Sequence, residues 1–285
     1  MLQLKNEIYR FRTYLGDSSK YQAPGKYPII FADPPYNLSR NYGPECLDDL
    51  PQSDYNAFTF SWMQLAARSL APNGTLWVVI NSDQLFSVLY AAATFGLTRP
   101  NTSAPFSHCI WHYRFGQHTH HNFIPSHAHI LRFSNGTPTF NPEAILEPSD
   151  RAAIYGDSRT LNKASGKPGQ RVPFTVWQNG EYASVPDAAL SLWQGTGLHR
   201  ITGNHPERSK PHDNQLPVAL VTRCLQASTP INGSPLSVLD PFLGSGTTAV
   251  AALRLGHSFT GIELSEDIHR DALVRIRRDC PGAFV

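Results

Sequence analysis

No apolar run in this 285-residue chain reaches the roughly 20 residues that a bilayer span needs. The opening stretch Met1-Leu2-Gln3-Leu4-Lys5-Asn6-Glu7 lacks the basic and apolar regions of an export signal. Cysteine is scarce and scattered: Cys46, Cys109, Cys224 and Cys280 form no CxxC pair, which disfavours a zinc framework. With no export signal they read as reduced thiols in a cytoplasmic protein. Charge is sparse as well, at 16% of residues with a formal net charge of +2. An excess that small does not announce a nucleic-acid partner by itself. Internal repeats are absent. What remains is an ordinary globular composition, 41% hydrophobic, with a length that suggests one large or two modest domains.

The most informative stretch is Ile29-Ile30-Phe31-Ala32-Asp33-Pro34-Pro35-Tyr36-Asn37. Its apolar, β-branched part reads as a buried strand. Pro34 and Pro35 lack the N–H that a sheet ladder needs, so the strand must stop before them. A proline also forces the residue before it into an extended conformation, which holds Asp33 and Pro34 out straight. The product is a stiff arm at a strand's carboxyl end. It carries a carboxylate, carbonyls without neighbouring donors and a flat ring, an acceptor site for a planar ligand bearing an amino group.

A second stretch, Val238-Leu239-Asp240-Pro241-Phe242-Leu243-Gly244-Ser245-Gly246-Thr247-Thr248-Ala249, reads as strand, glycine turn and helix start. Gly244 and Gly246 permit a tight turn and close approach to a ligand. The helix start offers unpaired N–H groups and a positive dipole end to an anion. Glu263 ends the next strand, where an acid commonly grips ribose hydroxyls. Gly244-x-Gly246-x-x-Ala249 formally satisfies a dinucleotide fingerprint, so a nicotinamide dehydrogenase is a rival reading. Such enzymes usually begin with the fingerprint, whereas here it falls near the end of the chain. A P-loop is excluded, because no Gly-Lys-Ser/Thr follows.

The remaining pattern predicts strands over 7–15, 75–80, 108–114, 129–133, 236–240 and 257–262. Helices are expected over 54–70, 83–95, 217–228, 246–255 and 266–277, and a turn at Pro72-Asn73-Gly74. Strand–helix alternation indicates a parallel sheet with helices on both faces. From about 134 to 205 periodicity fades, as in a loop-rich insertion with little core of its own. Trp177 and Trp193 stand there among polar residues, and residues 151–210 carry eight basic against four acidic side chains. That excess suits a solvated face or an anionic partner. The histidines at 118, 120, 121, 127 and 129 invite a metal reading, but solvated loop histidines touching phosphates are favoured, and no metal is expected.

Together the two motifs resemble the beta class of S-adenosylmethionine-dependent DNA amino-methyltransferases, of the adenine N6 type. Asp33-Pro34-Pro35-Tyr36 matches the catalytic motif of that family and Asp240 to Thr248 its cofactor motif, in the order of the beta class. Gly16-Asp17, Trp177, Arg208, Gln215-Leu216-Pro217 and Gly261 to Ser265 also fit. Two departures stand out. The family often carries His-Pro-Thr-Gln-Lys-Pro where this chain has His212-Asp213-Asn214-Gln215-Leu216-Pro217, and His-Glu where it has His127-Ala128.

The resemblance implies an α/β fold: a Rossmann-like, mostly parallel sheet with an antiparallel strand, helices on both faces, permuted motif order and a loop-rich insertion. Residues 1–134 would form the catalytic half of the core, 135–205 the DNA target-recognition region and 206–285 the cofactor-binding half. Asp33, Pro34, Pro35 and Tyr36 would be catalytic. Asp17, Asp240, Phe242, Gly244, Ser245, Gly246, Thr247, Thr248, Glu263 and Gln215 would hold the cofactor, with Asp17 at its adenine end. Trp111 and Phe123 are candidates either for the far wall of the base pocket or for the core. The partner would be double-stranded DNA, with a companion restriction endonuclease and a homodimer left open. Asp33 favours adenine, since the cytosine N4 enzymes usually carry Ser there. The rivals are cytosine N4 methylation and an inactive DNA-binding module.

Overall fold

The computed structural model describes residues 3–8, 10–40, 48–113, 120–161, 167–178, 198, 200–201, 205, 207–209 and 214–284. Cys46, His118, Trp193 and His212, each singled out above, lie outside the described residues. The strands of the main sheet are β1 (Gln3–Ile8), β2 (Phe11–Leu15), β3 (Tyr27–Ala32), β4 (Leu70–Ile80), β5 (Ser107–His112), β6 (His127–Phe133), β9 (Val176–Gln178), β10 (Ser237–Asp240) and β11 (Ser258–Glu263). Their spatial order is β1-β2-β11-β10-β3-β4-β6-β5-β9, and β7 (Glu147–Pro148) pairs with β8 (Gln170–Arg171) separately. The run β2, β11, β10, β3, β4 is parallel throughout, while β6 is antiparallel to both its neighbours and β1 to β2. This is the mostly parallel, Rossmann-like sheet that the resemblance implies.

Period-two alternation explains how both faces are covered. Ile29 and Phe31 of β3 point with Trp77 and Val79 of β4 to one side, where they meet Leu220, Val221 and Cys224 of α5 (Val218–Ala227) and Val250 of α6 (Thr247–Arg254). Ile30 and Ala32 point with Leu76, Val78 and Ile80 to the other side. There they meet Trp62, Met63 and Leu65 of α1 (Gln52–Ser69) and Val88 of α2 (Leu85–Thr94). Helix α7 (Glu266–Asp279) joins the first layer through Ala272 and Ile276. Ile29, Ile30 and Phe31 are fully buried, each worth about 1.5–3 kcal/mol over an exposed side chain. A strand covered on both faces reads as a continuous apolar run, as this one does.

Three sequence readings change. The strand expected over 7–15 is a hairpin, β1 against β2, because the alternating pattern continues through the turn at Arg10 and hides it. The turn at Pro72-Asn73-Gly74 lies inside β4 as a bulge: Leu70 pairs with Tyr27, Thr75 with Ile29. Asn73 there has φ 58°, and a Cβ on Gly74 would come within 2.9 Å of the Ala71 carbonyl, so the bulge needs glycine. The segment carrying Trp177 also differs from a bare loop. β9 pairs parallel with β5, and Trp177 is buried beneath the Arg223 guanidinium, 5.1 Å from its ring.

Within the polar segment lie two short helices, α3 (Asp150–Ala153) and α4 (Ser158–Leu161). Among the described residues no helix is long and apolar enough to cross a membrane.

Candidate active site

The sheet brings the two motifs to one edge. Ile30 of β3 pairs with Leu239 of β10, Asp240 with Gly261 of β11, and Glu263 with Leu15 of β2. The carboxyl ends of four neighbouring parallel strands therefore deliver Asp33, Asp240, Glu263 and Asp17 to the same place, where ligands of open α/β sheets bind. A cavity of about 410 Å³ opens there. Every residue expected to be catalytic or to hold the cofactor lines it except Gly246.

The arm after β3 is held as its composition demands. The Tyr36 hydroxyl donates to Asp33 Oδ1 at 2.7 Å, leaving the second carboxylate oxygen for another donor. Tyr55 of α1 donates its hydroxyl to the Pro35 carbonyl at 2.8 Å, and Asn81 Nδ2 reaches the Tyr36 carbonyl at 3.4 Å. Among the described residues the Pro34 carbonyl accepts no hydrogen bond. Just beyond, the buried Asp48 carboxylate accepts from the backbone N–H of Asn37, Leu38 and Arg40 at 2.6, 3.0 and 3.0 Å. Sequence reasoning missed Asp48 because nothing marks it off from its neighbour Asp49.

The glycine turn is equally constrained. Gly244 and Gly246 have φ of 49° and 79°, a region that favours glycine. A Cβ on Gly246 would come within 2.9 Å of the Ile276 side chain, so that residue lets α6 approach α7 and does not face the cavity. The buried Arg275 guanidinium donates to the Ser245 carbonyl and hydroxyl at 3.0 and 3.1 Å and to Thr247 Oγ1 at 2.8 Å. Arg275 was also missed. Its signal is a cation on the buried stripe His269, Ala272, Ile276 of α7. The hydroxyls of Ser245 and Thr247 are thus engaged in holding the turn.

Glu263 Oε2 accepts from the Gly244 N–H at 2.8 Å, and Oε1 from the N–H groups of Leu264 and Ser265 at 3.0 Å each. Both lone pairs of Oε1 are therefore engaged, and Oε2 retains one for a hydroxyl. Asp17 caps the turn Ser18–Lys20, accepting from Ser19 N–H at 2.9 Å. Burial works to raise its carboxyl, but the bonds from Ser19 and Lys20 hold it below the ordinary value. The Gln215 side chain is occupied: it donates to the Glu207 carbonyl at 2.6 Å and accepts from Ser209 N–H at 2.8 Å. Phe242 lines the cavity with its ring against Phe58 and Trp62.

The electrostatics follow from this convergence. Burial, opposed by the Tyr36 hydroxyl and assisted by Asp240, pushes Asp33 up to about 7. Burial likewise lifts Asp240 to about 7, against bonds from Thr248 and Phe242 and with repulsion from Glu263. Glu263 is raised by burial despite its three backbone donors. Three neighbouring buried carboxylates, with Asp240 raising Asp33 and Glu263 raising Asp240, make a site for a cation. The start of α6 beside them suits an anion, and Glu263 Oε2 suits a hydroxyl. A ligand combining these three features fits the wall.

The other aromatic and histidine candidates are placed elsewhere. Trp111 is core, its indole donating to the Leu198 carbonyl at 2.7 Å. Phe123 is 93% exposed, so it is not part of the core. His127 and His129 both contact Ser82 Oγ, at 3.2 and 3.1 Å, and His108 contacts His129 at 2.9 Å. Burial and the two neighbouring histidines press His129 down to about 4. Among the described residues no group of three His, Cys, Asp or Glu side chains is arranged to hold a metal.

A family model described as a DNA methylase matches residues 27–274. The type II methyltransferase M.HpaI of Haemophilus parainfluenzae is 26% identical over 257 residues, 89% of this chain and 69% of that protein. Among solved structures, the M1.HpyAVI complex with S-adenosylmethionine has a TM-score of 0.59 at 17% identity, covering 93% of this chain and 98% of that one. The PvuII DNA methyltransferase, described as cytosine-N4-specific, has a TM-score of 0.57 at 16% identity, covering 96% and 93%. These two structures share the fold.

Proposed function

The chain belongs to the DNA methylase family, the amino-methyltransferases that use S-adenosylmethionine, and we propose that within it this protein methylates the exocyclic N6 of adenine at a specific site in duplex DNA. The observation that carries the reading is the Asp33–Tyr36 pair beside an unengaged Pro34 carbonyl, in one cavity with Asp240 and Glu263. Asp33 at the first motif position favours adenine over cytosine.

When bound, S-adenosylmethionine supplies an electrophilic methyl group on a sulfonium. The acidic wall of Asp33, Asp240 and Glu263 complements that positive charge, the α6 start complements a carboxylate, and Glu263 Oε2 has an acceptor left for a ribose hydroxyl. Asp17 and Phe242 would complete the cofactor's enclosure.

The adenine amine is a weak nucleophile, because its lone pair is delocalised into the ring. Asp33 Oδ2 and the Pro34 carbonyl would accept its two N–H bonds, favouring a pyramidal nitrogen with a localised lone pair. The Asp33 carboxylate also stabilises positive charge developing on that nitrogen, an electrostatic effect set up before reaction. After transfer the nitrogen gives up one proton, which Asp33 Oδ2 is placed to take. Tyr36 keeps Asp33 in position through its hydroxyl, and its ring offers a stacking surface worth about 1–3 kcal/mol. A paired base cannot reach Asp33, so the target nucleotide must leave the duplex. Residues 135–205 would read the surrounding sequence.

Tritium transfer from labelled S-adenosylmethionine to duplex DNA, followed by digestion to nucleosides, tests the proposal. N6-methyladenine is the expected product. N4-methylcytosine would overturn the adenine assignment, and no incorporation into any DNA would overturn the activity itself.

A further inference from the structure

The cavity is one-sided in charge. Five carboxylates line it, from Asp17, Asp33, Asp240, Glu263 and Asp267, and among the described residues its one cationic side chain is Arg40. Such a wall suits a sulfonium but repels the phosphates flanking any nucleotide brought to Asp33.

Arg40 has an exposed side chain and a fixed backbone. Its N–H is one of three held by the Asp48 carboxylate, which is only 4% exposed. Asn37 and Ser39 take left-handed φ values of 59° and 56°, a path that charge-assisted bonds to Asp48 sustain. Asn37 and Leu50 exchange two further bonds, at 2.8 and 2.7 Å. The backbone from Asn37 to Arg40 is therefore held in place, with the Arg40 side chain carried at its end.

We propose that Arg40 grips a backbone phosphate beside the target nucleotide, and that Asp48 is the positioning residue that sets its place. The inference rests on the reading of this cavity as a DNA amino-methyltransferase site and deepens it. A planar guanidinium suits bidentate phosphate recognition. A phosphate contact fixes the strand's register on the protein without reading sequence.

The test compares wild type, Arg40→Ala, Arg40→Lys and Asp48→Asn on a duplex carrying the methylated site, identified by sequencing modified bases. Arg40→Ala should reduce the slope of log affinity against log salt by about one and raise the KM for DNA roughly tenfold at 0.15 M salt. The kcat at saturating DNA and the Kd for S-adenosylmethionine should stay within about threefold, and Arg40→Lys should restore the slope. Asp48→Asn should raise the KM for DNA without moving the cofactor Kd. A single methylphosphonate next to the target should weaken wild type as much as Arg40→Ala does, and add nothing to that variant. Weaker cofactor binding with an unchanged DNA slope would instead place Arg40 on the cofactor's carboxylate and overturn the proposal. So would full additivity of Arg40→Ala with every methylphosphonate. Wild-type protein that methylates no DNA would fail the underlying reading, a result distinct from either.

Discussion

Ile30 and Leu239 sit side by side on adjacent parallel strands, although most of the chain separates them. Three residues past the first is Asp33 and one past the second is Asp240, so the permuted motif order still brings both carboxylates to one edge. Each titrates near 7 against an ordinary value of 3.8, with burial the largest cause and a neighbouring carboxylate adding to it in both cases.

That pairing makes cofactor binding pH-dependent. A carboxyl raised in the folded state contributes stability that is complete below about pH 4 and lost as pH rises through about 7. The free protein should therefore lose stability across that window. A cationic ligand favours the ionised carboxylates, so S-adenosylmethionine should bind more tightly at pH 8 than at pH 6, with proton release seen by calorimetry in two buffers. Asp240→Asn should flatten the dependence. An affinity independent of pH between 6 and 8 would contradict the electrostatic account.

Asp33→Ala removes the acceptor and the charge at the reacting amine while leaving Glu263 and the glycine turn intact. Transfer should fall by at least ~10²–10³-fold, the scale of losing a preorganised electrostatic contact. The Kd for S-adenosylmethionine should change by only a few fold. Single-turnover transfer and equilibrium binding separate the two. A variant as active as wild type would refute the catalytic assignment.

Tyr36→Phe keeps a ring for stacking and deletes the 2.7 Å bond to Asp33. That bond holds the Asp33 carboxyl down, so its loss should move the acidic limb of the pH–rate profile upward. The KM for DNA should stay within about twofold, since stacking is retained. A pH profile identical to wild type would show that the hydroxyl does not tune Asp33.

Much of this site was legible because its sequence features are forced by backbone chemistry. Ile29 to Phe31 read as a buried strand, Pro34 and Pro35 must end it, and Gly244 permits a tight turn. The hairpin was not legible, because alternation runs through Arg10 without a Gly or Pro to break it. β9 is three residues long and gives no period. Asp48 and Arg275 act through tertiary contacts to backbone and hydroxyl groups, and no local spacing separates them from solvated charges. For Gln215 the family motif indicated a place at the cavity, where it lies, but not that its amide is bound to the backbone of 207–209.

Gly246→Ala tests the packing role of the glycine that does not line the cavity. At φ 79° an alanine is strained, and its Cβ would meet Ile276 Cδ1 at 2.9 Å. The two effects together should cost about 2–4 kcal/mol of stability. Ile276→Ala, which opens a cavity of its own, should be partly non-additive with Gly246→Ala, because the second change removes the clash but leaves the strain. Denaturant unfolding of the four proteins in the cycle measures that coupling. Full additivity would mean that α6 shifts to accommodate the methyl group. In that case cofactor affinity should fall as well, since the α6 start and the Glu263–Gly244 bond move together.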